Sequence, residues 1–295
     1  MKLPKSRDDI QAVEQYIEWA RSVIDKALPP GAVVPRHTGG GHFYQVPSGG
    51  VYPSVTGKLG YVKDESIQNF AMNEALRYVG EHLHETIVDG KVDMMKAIDL
   101  IAEAEKAPTG LLHAAGDIGT RIHDGREKYF QDWIDTGKRP AISDYVRDSH
   151  DPTYKAGMLG VDKFLDETGY MPIRCEVMVY SDEYEVAGML DDIGVMWHDD
   201  QWKLTLMDVK TSNQMKAHYW LQVAMYQMMF SELTGLEPER SIICKVSKDY
   251  PSYTLEELQD VDRLKEGVRA VLKVADTMQF IKESRKDAGK TVIKI

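Results

Sequence analysis

Cysteine is nearly absent from this chain: its 295 residues include two, Cys175 and Cys244. Two thiols exclude a disulfide framework and a four-cysteine iron–sulfur cluster, and they suit a reducing compartment such as the cytoplasm. No stretch approaches the ~18 consecutive apolar residues that span a bilayer, so no membrane association is expected. The opening residues, MKLPKSRDDIQAVEQYIEWA, lack the apolar centre of a signal peptide and read as an amphipathic helix. Dinucleotide fingerprints, a nucleophile elbow and zinc-ligand spacings are also missing, which argues against a metabolic enzyme. Gly39, Gly40 and Gly41 form a triplet with no lysine after it, so it reads as a hairpin turn rather than a phosphate cradle.

Positive charge is scarce as well. The formal net charge of −11 is awkward for a protein that handles nucleic acid, since phosphate contacts draw on Lys and Arg. The deficit is uneven. Residues 1–63 carry Lys2, Lys5, Arg7, Arg21, Lys26, Arg36, Lys58 and Lys63 against five acids, net +3. Residues 280–295 carry Lys282, Arg285, Lys286, Lys290 and Lys294 against Glu283 and Asp287, again net +3. These two ends suit a nucleic-acid path, and they suit ordinary solvated faces equally well.

What is present is enough apolar material, 43% of residues, for a substantial core. Periodicity and turn residues predict helices over 8–27, 64–85, 92–106, 109–135, 153–168, 213–233 and 255–285. Strands are predicted within 37–56 and over 173–181, 184–190, 193–198, 202–210, 240–247 and 251–254. The expected architecture is α/β (α+β), a central mixed sheet flanked by helices with a helical N-terminal half. A division is expected between an N-terminal helical and hairpin region, 1–110, packed on the core, and a core with a C-terminal helix, 111–295.

The chemistry concentrates between Glu176 and Tyr226. On a strand, residues i and i+2 share a face, so Asp208 and Lys210 in KLTLMDVK project together while Val209 points into the core. Val209 keeps its carbonyl free as an oxygen ligand. Asp191, in GMLDD, follows the hairpin YSDEYEVAG and is expected at the end of a neighbouring strand. Asp191 and Asp192 are adjacent and should face opposite ways. Asp191 beside Asp208 would make a hard, oxygen-rich pocket suited to Mg²⁺ or Mn²⁺. A nearby ammonium can orient an attacking water and offset charge developing on phosphate. Gln222 and Tyr226 are i,i+4 and share a face of the following helix.

These motifs resemble those of the PD-(D/E)XK nuclease superfamily, in particular its RecB-like exonucleases. The elements that carry the likeness are His123 in GTRIH, Gly188 to Asp191, Asp208-Val209-Lys210, and Gln222 to Tyr226, in that order. Glu176 in CEVMV matches an acidic position on the first strand, and YPSVTGKLGYVKDESIQNFA resembles a segment of phage and mitochondrial members. The likeness spans residues 45 to 245 and implies a restriction-endonuclease-like core. It implies that His123, Asp191, Asp208 and the Val209 carbonyl hold Mg²⁺ or Mn²⁺. Lys210 would position the water, and Glu176, Gln222 and Tyr226 would support the site. The absence of four cysteines places the chain with members that lack an iron–sulfur cluster.

The resemblance therefore implies a metal-dependent DNA exonuclease serving replication, recombination or repair, of phage or mobile-element type and working in the host cytoplasm. DNA, as single strands or duplex ends, is the implied partner, with a recombinase, helicase or single-strand-binding protein beside it. Two other readings remain open: a structure-specific endonuclease or nickase, and a non-catalytic DNA-binding accessory protein. Ser54, Thr56, Lys58, Thr211 and Ser212 are candidate phosphate contacts, though Ser54, Thr56, Thr211 and Ser212 serve equally as helix caps or turn residues. Phe43, Tyr44, Tyr52, Tyr61, Tyr219 and Trp220 are candidate stacking platforms.

Overall fold

In the computed structural model, residues 1–38, 41–62, 66–212 and 214–288 are described. Expectations resting on Gly39, Gly40, Lys63, Lys290 and Lys294 fall outside them, as do the side chains of Tyr61 and Lys286. The chain divides into two compact units, Asp64–Ile122 and the combination of Met1–Lys63 with His123–Ile295.

The larger unit begins with α1 (Ile10–Ala27), where the Asp9 carboxylate caps the helix by accepting from the Ala12 amide at 3.2 Å. Val13, Tyr16, Ile17, Ala20 and Ile24 recur at helical spacing and form its buried stripe. A small antiparallel sheet follows, β1 (Val34–Thr38), β2 (Gly41–Gln45) and β3 (Val51–Pro53), then one helical turn, α2 (Val55–Lys58).

The smaller unit holds α3 (Ser66–His82), a two-residue hairpin of β4 (Ile87–Val88) and β5 (Lys91–Val92), and the first part of α4 (Met94–Thr136). α4 is one helix of 43 residues, not the two expected over 92–106 and 109–135. Pro108 lies inside it. A proline removes one ladder hydrogen bond and crowds the preceding turn. The Ala, Glu, Lys and Leu around it are strong helix formers, and the helix continues. Residues 110 and 111, the expected division of the chain, lie within α4.

Returning to the larger unit, the short α5 (Ser143–Val146) leads to α6 (Pro152–Thr168). α6 opens with Asp151 accepting from the Thr153 and Tyr154 amides and closes at Gly169, which takes the left-handed φ of +64°. The central sheet follows: β6 (Met171–Ser181), β7 (Val186–His198), β8 (Gln201–Lys210), then α7 (Ala217–Thr234), β9 (Arg240–Val246), β10 (Tyr253–Glu257) and α8 (Val261–Ala288). Its order is β10-β9-β8-β7-β6. β6, β7 and β8 form an antiparallel meander, α7 crosses over to place β9 parallel to β8, and β10 returns antiparallel. This is the mixed sheet flanked by helices that the sequence predicts.

The sequence suggests two strands, 184–190 and 193–198, where the structure has the single strand β7. The polar Asp191–Asp192 pair resembles a break, but each carboxylate has a buried partner that keeps the strand intact. Leu190, Ile193 and Val195 all join the main apolar cluster, so the inward–outward alternation slips by one at the two aspartates. That cluster unites α1, α7, α8 and one face of the sheet. α7 is apolar almost all round, with Val223, Ala224, Met225, Tyr226, Met229 and Phe230 buried, as a helix enclosed on all sides must be.

Candidate active site

The site forms where the ladder between β7 and β8 gives out. Backbone pairing runs down to Asp192 opposite Met207 and stops. Beyond it the Asp191 carboxylate accepts the Val209 amide at 2.6 Å, so a side chain fills the place of the missing strand carbonyl. Asp208 and Lys210 project from one face of β8, with Lys210 Nζ 2.6 Å from Asp208 Oδ2. Val209 between them is buried. His123, on α4, brings Nδ1 to 3.9 Å from Asp191 Oδ2. That gap is too long for a hydrogen bond. It is within the reach of two donors each ~2.1 Å from a shared ion. The structure thus brings His123, Asp191, Asp208 and Lys210 together.

Electrostatics separates the two aspartates. Burial raises both carboxyls. At Asp191 the charges of His123, Arg126 and Lys210, with the Val209 amide, outweigh burial and hold it below the usual carboxylate range. At Asp208 burial prevails over the Lys210 charge and pushes the carboxyl up to about 6. Lys210 is lowered by burial and raised more strongly by Asp208 and Asp191, so it stays an ammonium. Burial lowers His123, which favours the neutral imidazole that ligates metals. Lys210 Nζ also lies 5.0 Å from the centre of the Tyr219 ring, a cation–π contact.

Glu176 reaches the site by another route. It takes a φ of +50°, the left-handed region that residues with side chains rarely occupy, inside β6. The pairing of β6 with β7 is regular on both sides, Cys175 with Asp192 and Val177 with Leu190, so the irregularity falls directly across from Asp191. The Glu176 carboxylate accepts from Arg126 at 2.5 Å, and burial lifts it to about 7 against the pull of that guanidinium.

Arg126 was not foreseen. Fully buried on α4, it pairs with Asp192 and Glu176 and donates to the Asp191 carbonyl at 3.4 Å. Burial alone would lower it, but Asp192, Asp191 and Glu176 keep it firmly protonated. The one signal in the sequence is its position three residues after His123, which puts both on one side of the helix. Asp192 is wholly enclosed, and among the described residues its Oδ1 has no hydrogen-bond partner. It belongs to this internal ion cluster rather than to the open side.

Gln222 and Tyr226 meet on α7, the Gln222 amide donating to the Tyr226 hydroxyl at 3.1 Å. Tyr226 is near enough that the Asp208 and Asp191 charges add to burial in raising its phenol. Its ring fills the space above Gly188, where an added Cβ would lie 2.8 Å from Cε1. Gly188 is therefore required by close packing within β7, not by a turn.

The candidate phosphate contacts divide. Thr211 and Ser212 directly follow Lys210, and the Ser212 hydroxyl donates to the Gln214 carbonyl at 2.8 Å. Ser54 caps α2 through the Gly57 amide at 3.0 Å and lies 3.1 Å from the Thr56 hydroxyl. Lys58 is buried and paired with Asp276. Ser54 and Lys58 line a separate cavity of about 960 Å³ beside α8. Among the aromatics, Tyr44 and Tyr52 pack around Val33, Val46 and Ala187, and Trp220 packs on the main core.

The donors suit a hard divalent cation. Among the described residues, Asp208 Oδ1 is buried with no hydrogen-bond partner, and its Oδ2 meets Lys210 as an ion pair without hydrogen-bond alignment. A buried carboxylate oxygen left in this state is costly unless a cation completes it. Among the described residues, no three His, Cys, Asp or Glu side chains stand close enough to clasp an ion as they are arranged.

No family model matches this chain, and no curated protein matches it. Solved structures do. An alkaline exonuclease from Laribacter hongkongensis, LHK-Exo, is similar at 15% identity and TM-score 0.31, over 58% of this chain and 92% of the other. The same protein in complex with dAMP is 16% identical, with TM-score 0.32 over the same shares. SSO0001 is 16% identical, with TM-score 0.23 over 53% of this chain and 72% of the other.

Proposed function

We propose that this chain is a metal-dependent deoxyribonuclease, an exonuclease of the RecB-like PD-(D/E)XK type that hydrolyses phosphodiester bonds in DNA. The observation that carries the reading is the meeting of Asp191, Asp208, Lys210 and His123 at the opening between β7 and β8, with a carboxylate oxygen of Asp208 buried and unpartnered. A pure binding protein gains nothing from two acids beside phosphate.

His123, Asp191, Asp208 and the Val209 carbonyl would hold Mg²⁺ or Mn²⁺. Bound there, the ion supplies charge neutralisation at the phosphate and a more acidic water. The residues of the chain do the rest. The Val209 amide fixes the Asp191 carboxylate in one orientation. Lys210, held as an ammonium by the acids around it, donates to the attacking water and offsets charge on the phosphate oxygens. Arg126 locks the backbone beneath Asp191 by tying β6 and β7 to α4. Gln222 and Tyr226 would brace the pocket, the Tyr226 phenol lying within the field of both Asp208 and Asp191.

Digestion of end-labelled linear and closed circular single-stranded DNA, with Mg²⁺, Mn²⁺ or chelator, tests this beside Lys210→Ala. Metal-dependent loss of linear DNA alone, absent in the variant, is the expected result. Cutting of circles would make the protein an endonuclease or nickase. No cleavage of any substrate by folded protein would leave an accessory DNA-binding role.

A further inference from the structure

We propose that the notch between the end of β8 and the β9–β10 hairpin binds a non-scissile phosphate of a nucleic-acid strand, with Tyr250 stacking on the adjoining base. The identity of the ligand rests on the nuclease reading above. β8 and β9 are parallel, and Lys210 is paired with Lys245. Paired positions on neighbouring strands emerge on the same face ~4.8 Å apart. The row that carries Asp208 and Lys210 on β8 is therefore continued one strand over by a second lysine. Past Lys245, a cavity of about 230 Å³ is lined by Thr211, Ser212, Lys248 and Tyr250.

The chemistry of that lining is anionic recognition. Lys245 and Lys248 line the cavity together with several hydroxyl side chains, against one carboxylate, that of the exposed Asp249. In a chain of net charge −11, a local excess of lysine next to an acidic centre is not an averaged surface. Size narrows the ligand further. Sites for whole small molecules run to ~300–1,000 Å³, so this cavity admits a phosphate and leaves its base outside. Tyr250 stands at that rim with 64% of its surface exposed, in position to stack on the base.

Fluorescence anisotropy of a short labelled single-stranded oligonucleotide, in chelator so that nothing is cut, tests the proposal across a salt series. The full chain, Lys248→Ala and Tyr250→Ala are compared, with Lys138→Ala, just beyond α4, as the control for net charge. Lys248→Ala should flatten the plot of log affinity against log salt by about 0.7, the loss of one phosphate contact on a single strand. Tyr250→Ala should weaken binding roughly 5- to 150-fold with little change in slope. Oligonucleotides with and without a terminal phosphate separate two sources of the anion. An effect confined to the phosphorylated end assigns a terminal monoester, and an equal effect on both assigns an internal diester. Parent-like affinity and slope in both variants would overturn the proposal, as would a parent that binds no oligonucleotide. Binding that depends on Lys248 and Tyr250 in a parent that cuts no DNA would keep this site and overturn the nuclease reading.

Discussion

The Asp191 carboxylate accepts the Val209 amide at 2.6 Å, so one candidate ligand is held by the backbone of the strand that carries the other, Asp208. The bond has a structural and a chemical side, and substitution separates them. Asp191→Asn keeps an acceptor for the amide and should fold within ~1 kcal/mol of the parent. Asp191→Ala leaves a buried N–H unpaired and should cost ~1–3 kcal/mol. Both should lose Mn²⁺ binding. Urea unfolding beside titration calorimetry reads the two effects; equal stability of Asn and Ala would show that the amide is satisfied by something else.

Metal binding through Asp208, as proposed, should depend on pH. With its carboxyl pushed up to about 6 by burial, a proton competes with any cation for the same oxygens. Apparent Mn²⁺ affinity should be nearly level above pH 7 and fall about tenfold per unit below 6. The sign for the metal-free fold is opposite. Because the folded state holds this proton more tightly than the unfolded chain, the contribution of Asp208 to stability declines as pH rises from about 4 to 6. Asp208→Asn should abolish Mn²⁺ binding by calorimetry at every pH. Parent-like heats in that variant would remove Asp208 from the ligand set.

Arg126 pairs with two acidic side chains in the protein interior, Asp192 and Glu176. Removing one partner of a buried ion cluster strands the others, so Arg126→Ala should cost about 3–5 kcal/mol. Arg126→Lys should recover little, since an ammonium cannot reach Asp192, Glu176 and the Asp191 carbonyl at once. Chemical denaturation measures both, and a fully stable Lys variant would mean that only the charge matters.

The strands and helix around the site were legible because each bears a plain signal. Alternation in KLTLMDVK, turn residues in YSDEYEVAG and the apolar run before Gly235 predict β8, the β6–β7 hairpin and α7. What escaped depended on contacts between distant segments. Asp191–Asp192 looks like a break in a strand until Val209 and Arg126 are seen to satisfy the pair. Arg126 itself, within RIHDGREK, has the surroundings of a solvated helix residue, and only tertiary burial sets it apart. Ser54 illustrates the converse: a hydroxyl that suits phosphate also suits a helix cap, and it caps α2.

Gly188 is the most direct test of how α7 braces the site. An added methyl would lie 2.8 Å from the Tyr226 ring and 3.0 Å from Val55 Cγ2, both inside normal contact. The Val55 side would have to move with α2, and the Tyr226 side would carry the hydroxyl that Gln222 holds. Gly188→Ala should therefore destabilise by ~1–3 kcal/mol, the usual cost of overfilling a core. Tyr226→Leu should recover part of that loss when combined with it, giving a coupling of ~0.5–3 kcal/mol between residues in contact. Strict additivity in urea denaturation would place the clash with Val55 alone. If Tyr226 braces Asp208, Gly188→Ala should also lower the cleavage rate while leaving the calorimetric affinity for Mn²⁺ within about threefold of the parent, because the carboxylates sit on β7 and β8 and the methyl presses only on α7 and α2.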